Sequence, residues 1–198
     1  EFPNIPPPSG DDFASTHPVA LEAYSRKGLP NQSVLAPPSG PLDVLLNGRV
    51  QRNHDDPSQS LFFRNDTVGY LLFDLGSSVP VASIHTYAWH RNKEDPESTL
   101  RAVQRFTLWG ARDERPPRLP DSIKSGGWER IARVDTDVFF RVSERTDRPG
   151  QQACRLLPRD ELIGEFRYLL FEVLPTIDVG ADSPRHTFFS EIDIFSGK

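Results

Sequence analysis

The sequence predicts an all-β chain folded as a two-sheet sandwich, and three observations carry that prediction. Apolar residues fall in short runs separated by turn-forming clusters, the signature of strands that meet turns at close intervals. Few windows of about 11 residues sustain a 3.6-residue period, so amphipathic helices do not alternate with the strands and a βαβ architecture is excluded. Proline is abundant, at 19 of 198 residues, against a usual share of about 5%.

The elements follow in order. Pro3 to Gly10 reads Pro-Asn-Ile-Pro-Pro-Pro-Ser-Gly, and proline lacks the N–H and fixes φ, so residues 1–16 are expected to be a linker or extended arm before a single domain over 17–198. Val19 to Tyr24 and Ser33 to Ala36 are short strand candidates closed by Pro/Gly/Asn clusters. Leu42 to Leu46 ends at Asn47-Gly48, a pair that tolerates positive φ and marks a tight turn, and Arg49 to Ser60 follows as a long polar loop. Val68 to Leu75 closes at Gly76, and Val79 to Trp89 begins three residues later, which suits a hairpin of central strands. Val103 to Gly110, Trp128 to Asp135, Gln151 to Leu157, Phe166 to Leu174 and Thr187 to Phe195 complete a set of about eight strands. Arg159 to Glu165 alone hints at a helical turn.

Composition narrows the function. The net charge of -5 argues against a nucleic-acid reader, which presents clustered Lys and Arg on a basic domain. Apolar runs such as Tyr168-Leu-Leu-Phe171 fall far short of a membrane-spanning helix. Cys154 is alone, so neither an intrachain disulfide nor a cysteine-rich zinc site is available. The chain begins at Glu1 and contains no methionine, the expectation being a processed product or an excised fragment, a start that says nothing about export. No Gly-x-Ser-x-Gly elbow, phosphate-binding glycine loop or His-Glu-x-x-His occurs. The adjacent acids Asp55-Asp56, Glu94-Asp95 and Asp160-Glu161 sit in loops, where carboxylates are ordinarily solvated.

A resemblance enters at particular residues. Gly69-Tyr-Leu-Leu-Phe-Asp-Leu-Gly76, Ile84-His-Thr-Tyr87, Phe106-Thr-Leu-Trp-Gly110, Trp128-Glu-Arg-Ile-Ala132, Phe166-Arg-Tyr-Leu-Leu-Phe171 and Glu191-Ile-Asp-Ile-Phe195 together resemble the discoidin or galactose-binding-like superfamily. Family 32 carbohydrate-binding modules and fucose-binding lectins are the nearest in feel. Each motif is weak by itself; six in this order span roughly Val19 to Phe195. The resemblance implies a jelly-roll β-sandwich with its ligand site in loops at one end, binding glycans without catalysis.

The strongest local match to a sugar site is Tyr87-Ala-Trp-His-Arg-Asn92, where related binders carry a Tyr-x-Pro-Arg-like segment; the proline is missing here. Vicinal hydroxyls suit charged donors, and the C–H face of a sugar suits an aromatic ring. Trp89 is thus a candidate platform, with His90, Arg91 and Asn92 as polar partners. The structural alternative is that Tyr87 and Trp89, two apart on one strand face, are core. His54 lies in the long loop that the resemblance places beside the same cleft, against the alternative of a solvated acidic loop. Arg101 and Arg105 flank Gln104, where an arginine fork would hold a hydroxyl pair, sulfate or uronate, and Arg185 and His186 precede the last strand. Nineteen of the twenty-three basic residues are Arg, which makes an anionic glycan a specific expectation, although that skew also arises without any ligand.

The resemblance further implies one structural Ca2+ near the first tight turn, held by an Asp-Gly pair, a hydroxyl residue and a Glu opening the last strand. Here Glu191 fits, Asn47 replaces the Asp, and Arg52 stands where the hydroxyl is expected, so Asp55 or Asp56 would have to fold back, Asp55 completing a set of Asn47, Asp55 and Glu191. His85 and His90, five apart in one strand, point to opposite faces and do not pair on a metal.

The expectation is therefore a non-catalytic, lectin-like carbohydrate-binding module. It would be extracellular, at the cell surface or periplasmic, with a glycan as partner, neither nucleic acid nor membrane insertion, and attachment to a larger multidomain protein. The alternative is a discoidin-like protein- or surface-interaction module; a jelly-roll glycan-active enzyme ranks below both.

Overall fold

The computed structural model of the chain describes residues 6–25, 34–37, 39–50, 56–90, 103–117, 126–136, 150–176 and 186–197. Nine strands dominate: β1 (Ala20–Ser25), β2 (Leu61–Phe62), β3 (Gly69–His90), β4 (Arg105–Ala111), β5 (Glu129–Asp135), β6 (Gly150–Leu156), β7 (Gly164–Val173), β8 (Phe188–Phe189) and β9 (Glu191–Ser196). One helical turn, α1 (Phe13–Thr16), precedes them, and 3-10 turns cover Leu42–Leu46 and Pro57–Gln59. All strand pairings are antiparallel.

The long strand β3 organises the sandwich. Its first part lies between β1 and β7 in the order β1-β3-β7-β4-β5, and its second part lies between β6 and β9. This corrects the expected hairpin at Gly76. Gly69 to Asp74 pairs with Val173 to Tyr168, and after an interruption Val79 to Val81 pairs with Phe166 to Gly164, still running along the same partner. The chain therefore bulges and continues without reversing. Gly76 supplies the bulge with a φ of +79° that side-chain-bearing residues rarely adopt. Its N–H donates to Asp74 Oδ1 at 2.8 Å, and Arg167 donates to both oxygens of the same carboxylate at 3.1 and 3.3 Å.

The core lies between the two layers. Leu71, Phe73, Phe106, Leu108, Leu169 and Phe171 point inward from one, and Ile84, Ile192 and Ile194 from the other. Phe171 sits at the centre, its ring 5.5 Å from Phe73 and 5.3 Å from Phe106. Each such side chain contributes roughly 1.5–3 kcal/mol of transfer free energy on full burial. Tyr70, Leu72, Tyr168 and Leu170 point to the opposite face of the same strands and are buried too, against Ala111 and Trp128. Burial on both faces explains why β3 and β7 read as continuous apolar runs and not as alternating ones.

Other expectations shift. Leu42–Leu46 is a 3-10 turn that buries Val44 and Leu45, and the Ser33 to Ala36 candidate contributes an isolated bridge from Leu35 to Phe63. Thr187 to Phe195 is two strands: β8 pairs with β2 and β9 with β3, with Ser190 between them. Residues 159–163 bend without forming a helix. Within the stretch expected to be a linker or arm, residues 6–16 lie against the sandwich, where α1 packs on β9.

Candidate functional site

One end of the sandwich gathers the strand termini from which the candidate ligand residues issue. At that end β3 finishes at His90, paired with Gly150 at the start of β6, and β9 starts at Glu191, paired with Tyr87. Thr86 Oγ1 donates to Gln104 Oε1 at 2.7 Å, joining the end of β3 to the residue before β4. Gln104 in turn exchanges backbone hydrogen bonds with Thr136 just past β5: its N–H donates to Thr136 Oγ1 at 2.8 Å, and its carbonyl accepts from Thr136 N–H at 3.1 Å. Thr187 Oγ1 accepts from Arg105 N–H at 3.3 Å and donates to the Leu174 carbonyl at 2.6 Å, so the approach to β8 and the exit of β7 are tied to the same place. The described residues that flank 91–102, 137–149 and 177–185 therefore converge.

The floor of this end is half apolar and half polar. Phe62, Ala88, Trp89, Val103 and Phe188 form one buried cluster, with Phe62 stacked on Phe188 at 4.7 Å. Beside it Thr86, Gln104 and Gln152 are buried, and among the described residues Gln104 Nε2 and Gln152 Nε2 have no hydrogen-bond partner. A buried amide left unpaired costs about 1–3 kcal/mol, so these groups are suited to polar atoms arriving from outside the described chain.

The candidate residues fare differently. Trp89 is 4% exposed within the apolar cluster. This corrects the expectation of an open platform, because an enclosed ring cannot offer its face to a sugar. His186 is half-buried; its Nδ1–H donates to the Phe63 carbonyl at 2.6 Å and its ring meets Phe62 edge-on. Arg105 does not form a fork for ligand: Nη1 donates to the Pro175 carbonyl at 3.2 Å, and Nε lies 3.5 Å from Asp135. The backbone of His90 ends β3. His54, Arg91, Asn92, Arg101, Arg185 and Asp55 lie outside the described residues.

The two described members of the calcium set do come together. Gly48, at φ +66°, turns the chain so that Asn47 Oδ1 and Glu191 Oε2 both accept the Arg49 N–H, at 2.8 and 3.2 Å. Glu191 is fully buried and its Oε1 has no hydrogen-bond partner among the described residues. Burial, reinforced by Asp193, raises its carboxyl to about 8. Asp193 is raised by burial to about 7, against the opposing pull of hydrogen bonds from Ser9 N–H and Tyr87. A bare buried carboxylate oxygen fits a cation. Two side chains nonetheless supply only part of the six to eight oxygens calcium takes, and among the described residues no group of three or more His, Cys, Asp or Glu is arranged to hold a metal.

Asp12, Asp193, Gln104 and Gln152 escaped the sequence reading. The pattern Glu191-Ile-Asp-Ile194 has the alternation of a strand with one wet face, and nothing local reveals that the acidic face is covered.

No protein-family model matches the chain, and no curated protein matches it by sequence. Solved structures do match. A histidine mutant of the lectin-binding domain of lectinolysin, complexed with Lewis b, aligns with 97% of this chain and 100% of its own at a TM-score of 0.52 and 13% identity. The lectin domain of lectinolysin complexed with Lewis b antigen covers 95% of this chain and 98% of its own, with a TM-score of 0.51 and 13% identity. A Streptococcus pneumoniae fucose binding module aligns at 0.49 and 14% identity, over 94% of this chain and 95% of its own. The chain shares the fold of the two lectinolysin structures, and the two-sheet β-sandwich expected from the sequence is the fold of this protein.

Proposed function

We propose that this chain is a non-catalytic carbohydrate-binding module that reads a glycan at the end where β3, β6 and β9 meet the approaches to β4 and β8. The observation that carries the reading is the alignment of 97% of the chain with a lectin domain solved with Lewis b. Local chemistry supports it: His186 and the amides of Gln104 and Gln152, which have no hydrogen-bond partner among the described residues, lie at this end, and His90, Arg91, Asn92, Arg101 and Arg185 belong to the same reading as its proposed polar partners. His54 belongs to the same reading, since Arg49, a few residues before it, is anchored on Glu191 at this end. The glycan is proposed to be anionic, because nineteen of the twenty-three basic residues are Arg, a side chain that suits sulfate or carboxylate groups. Export and attachment to a larger protein belong to the same proposal, since a single shallow site gains avidity from neighbouring modules. Calcium at the Asn47-Gly48 turn is its accessory part, supported by the bare oxygen of Glu191.

A glycan array run in low and high salt, with calcium or chelator, tests the whole reading. Arg91→Ala is expected to lose binding while keeping the wild-type melting temperature, and binding should weaken as salt rises. Salt-insensitive binding to neutral glycans alone overturns the anionic ligand. An unchanged melting temperature on adding calcium to chelated protein overturns the metal. No binding to any glycan class by folded protein overturns the module itself and turns the search to a protein partner.

A further inference from the structure

We propose that residues 7–12 set the position of the Asn47-Gly48 turn, which makes Asp12 and Gly48 positioning residues for the glycan-binding end. The inference rests on the glycan reading above in one respect: Arg49, which leaves this turn, opens the polar segment that contains His54. Backbone meets backbone where the two segments touch. A Cβ built on Gly48 would lie 2.6 Å from Gly10 Cα, 2.9 Å from Gly10 N and 3.1 Å from the Ser9 carbonyl oxygen. No side chain fits there, so arm and turn approach this closely because residue 48 is glycine. The residue after the turn is held at once, Arg49 N–H donating to Asn47 Oδ1 and to Glu191 Oε2.

The arm is fixed in turn by β9. Ile194 N–H donates to Asp12 Oδ1 at 3.0 Å. The same oxygen accepts Ala14 N–H at 2.8 Å and so caps α1. Ser9 N–H donates to Asp193 Oδ2 at 3.0 Å, and the Tyr87 hydroxyl lies between that oxygen, at 3.1 Å, and the Pro7 carbonyl, at 3.2 Å. The Ser9 carbonyl, which faces Gly48, also accepts the Ser15 hydroxyl at 3.3 Å. The three segments thus close a circuit: β9 holds the arm, the arm bounds the turn, and Glu191 of β9 holds the residue after the turn. Moving the arm must shift the turn or strain the Arg49 bond, and moving the turn must displace the arm, since coupling between two segments is reciprocal.

The test uses the full chain and reads both directions. Serine at position 12 still caps a helix but is shorter than aspartate, so Asp12→Ser keeps the cap and frees the arm from Ile194. Amide exchange at Arg49, a different segment, is then expected to accelerate about fivefold, the equivalent of one hydrogen bond. Asparagine tolerates positive φ but carries a Cβ, so Gly48→Asn removes the fit to Gly10 and should accelerate exchange at Ile194 by a similar factor. Asp12→Asn keeps an acceptor oxygen and is expected to restore the wild-type rate at Arg49. Retention on immobilised heparin, a sulfated polysaccharide, is expected to weaken in Asp12→Ser and Gly48→Asn and to recover in Asp12→Asn. Unchanged exchange at the distant amide in either folded variant overturns the coupling, and faster exchange with undiminished retention overturns the positioning role. Wild-type protein that heparin does not retain counts against the anionic glycan, while the exchange rates still decide the coupling. If one variant fails to fold, the other decides it alone.

Discussion

Thr86 donates its hydroxyl to Gln104 Oε1 at 2.7 Å in the buried end of the sandwich, fixing where β3 stops relative to where β4 begins. Thr86→Val leaves the Gln104 amide without its acceptor-side partner. The expected cost is about 1–3 kcal/mol, measured by urea denaturation. The double variant Thr86→Val/Gln104→Leu should cost less than the sum of the single changes, since removing both partners leaves no stranded polar group. Simple additivity would refute the pairing.

Trp89 is core, and its variants should behave accordingly. Trp89→Ala is expected to destabilise by about 3–5 kcal/mol, seen as a large fall in denaturation midpoint. Trp89→Phe should refold and retain glycan binding. Loss of binding by folded Trp89→Phe would return the indole to the ligand site.

His85 is buried opposite Asp193 and Arg155, its ring 4.8 Å from Phe195. Burial, with Arg155 adding, lowers it from 6.5 to about 4. The folded value lies below the unfolded one, so the unfolded chain takes up the proton first. Stability contributed by neutral His85 is complete above pH 6.5 and drains away as pH falls from there toward 4, a loss of order 3 kcal/mol at most. The raised carboxyls of Asp193 and Glu191 act oppositely over part of that range, so the useful quantity is the difference between wild type and His85→Asn. That difference should shift against wild type as pH falls from 7 to 4.5; a difference independent of pH would contradict the buried neutral imidazole.

Burial pushes the Cys154 thiol up to about 11. A thiol this reluctant to ionise should alkylate at pH 8 at least about a hundredfold more slowly in native than in denatured protein, as followed by mass spectrometry with iodoacetamide. Comparable rates in the two states would mean that the thiol is open to solvent.

Gly110 on β4 lies against the ring of Phe166, and a Cβ there would meet Phe166 Cδ1 at 2.3 Å. Gly110→Ala should therefore destabilise by about 1–3 kcal/mol through overpacking. Combining it with Phe166→Leu is expected to recover part of that loss in the same denaturation assay.

Much of the fold was legible because strand formation is a local matter. The Phe166 to Leu174 run and the Gln151 to Leu157 run fall within a few residues of β7 and β6, since apolar and β-branched side chains bounded by turn residues favour extended backbone wherever they are placed. Two features near the candidate site were legible for the same reason: Asn47-Gly48 is a turn, and Glu191 opens the last strand.

What sequence left open are the choices made between distant segments. Gly76 reads equally as a hairpin turn or a bulge; β7, which runs on past it, makes it a bulge. Trp89 at a strand end suits a platform or a core, and enclosure by Phe62, Val103 and Phe188 makes it core. The acids of β9 suit solvent until Asp12 and Ser9 cover them. The amino-acid order by itself determined most of the strands and the all-β class they build, because propensity and periodicity act over a few residues. Tertiary structure alone decided which polar side chains are buried and which strand ends converge, because burial and hydrogen bonding depend on partners far away in the chain.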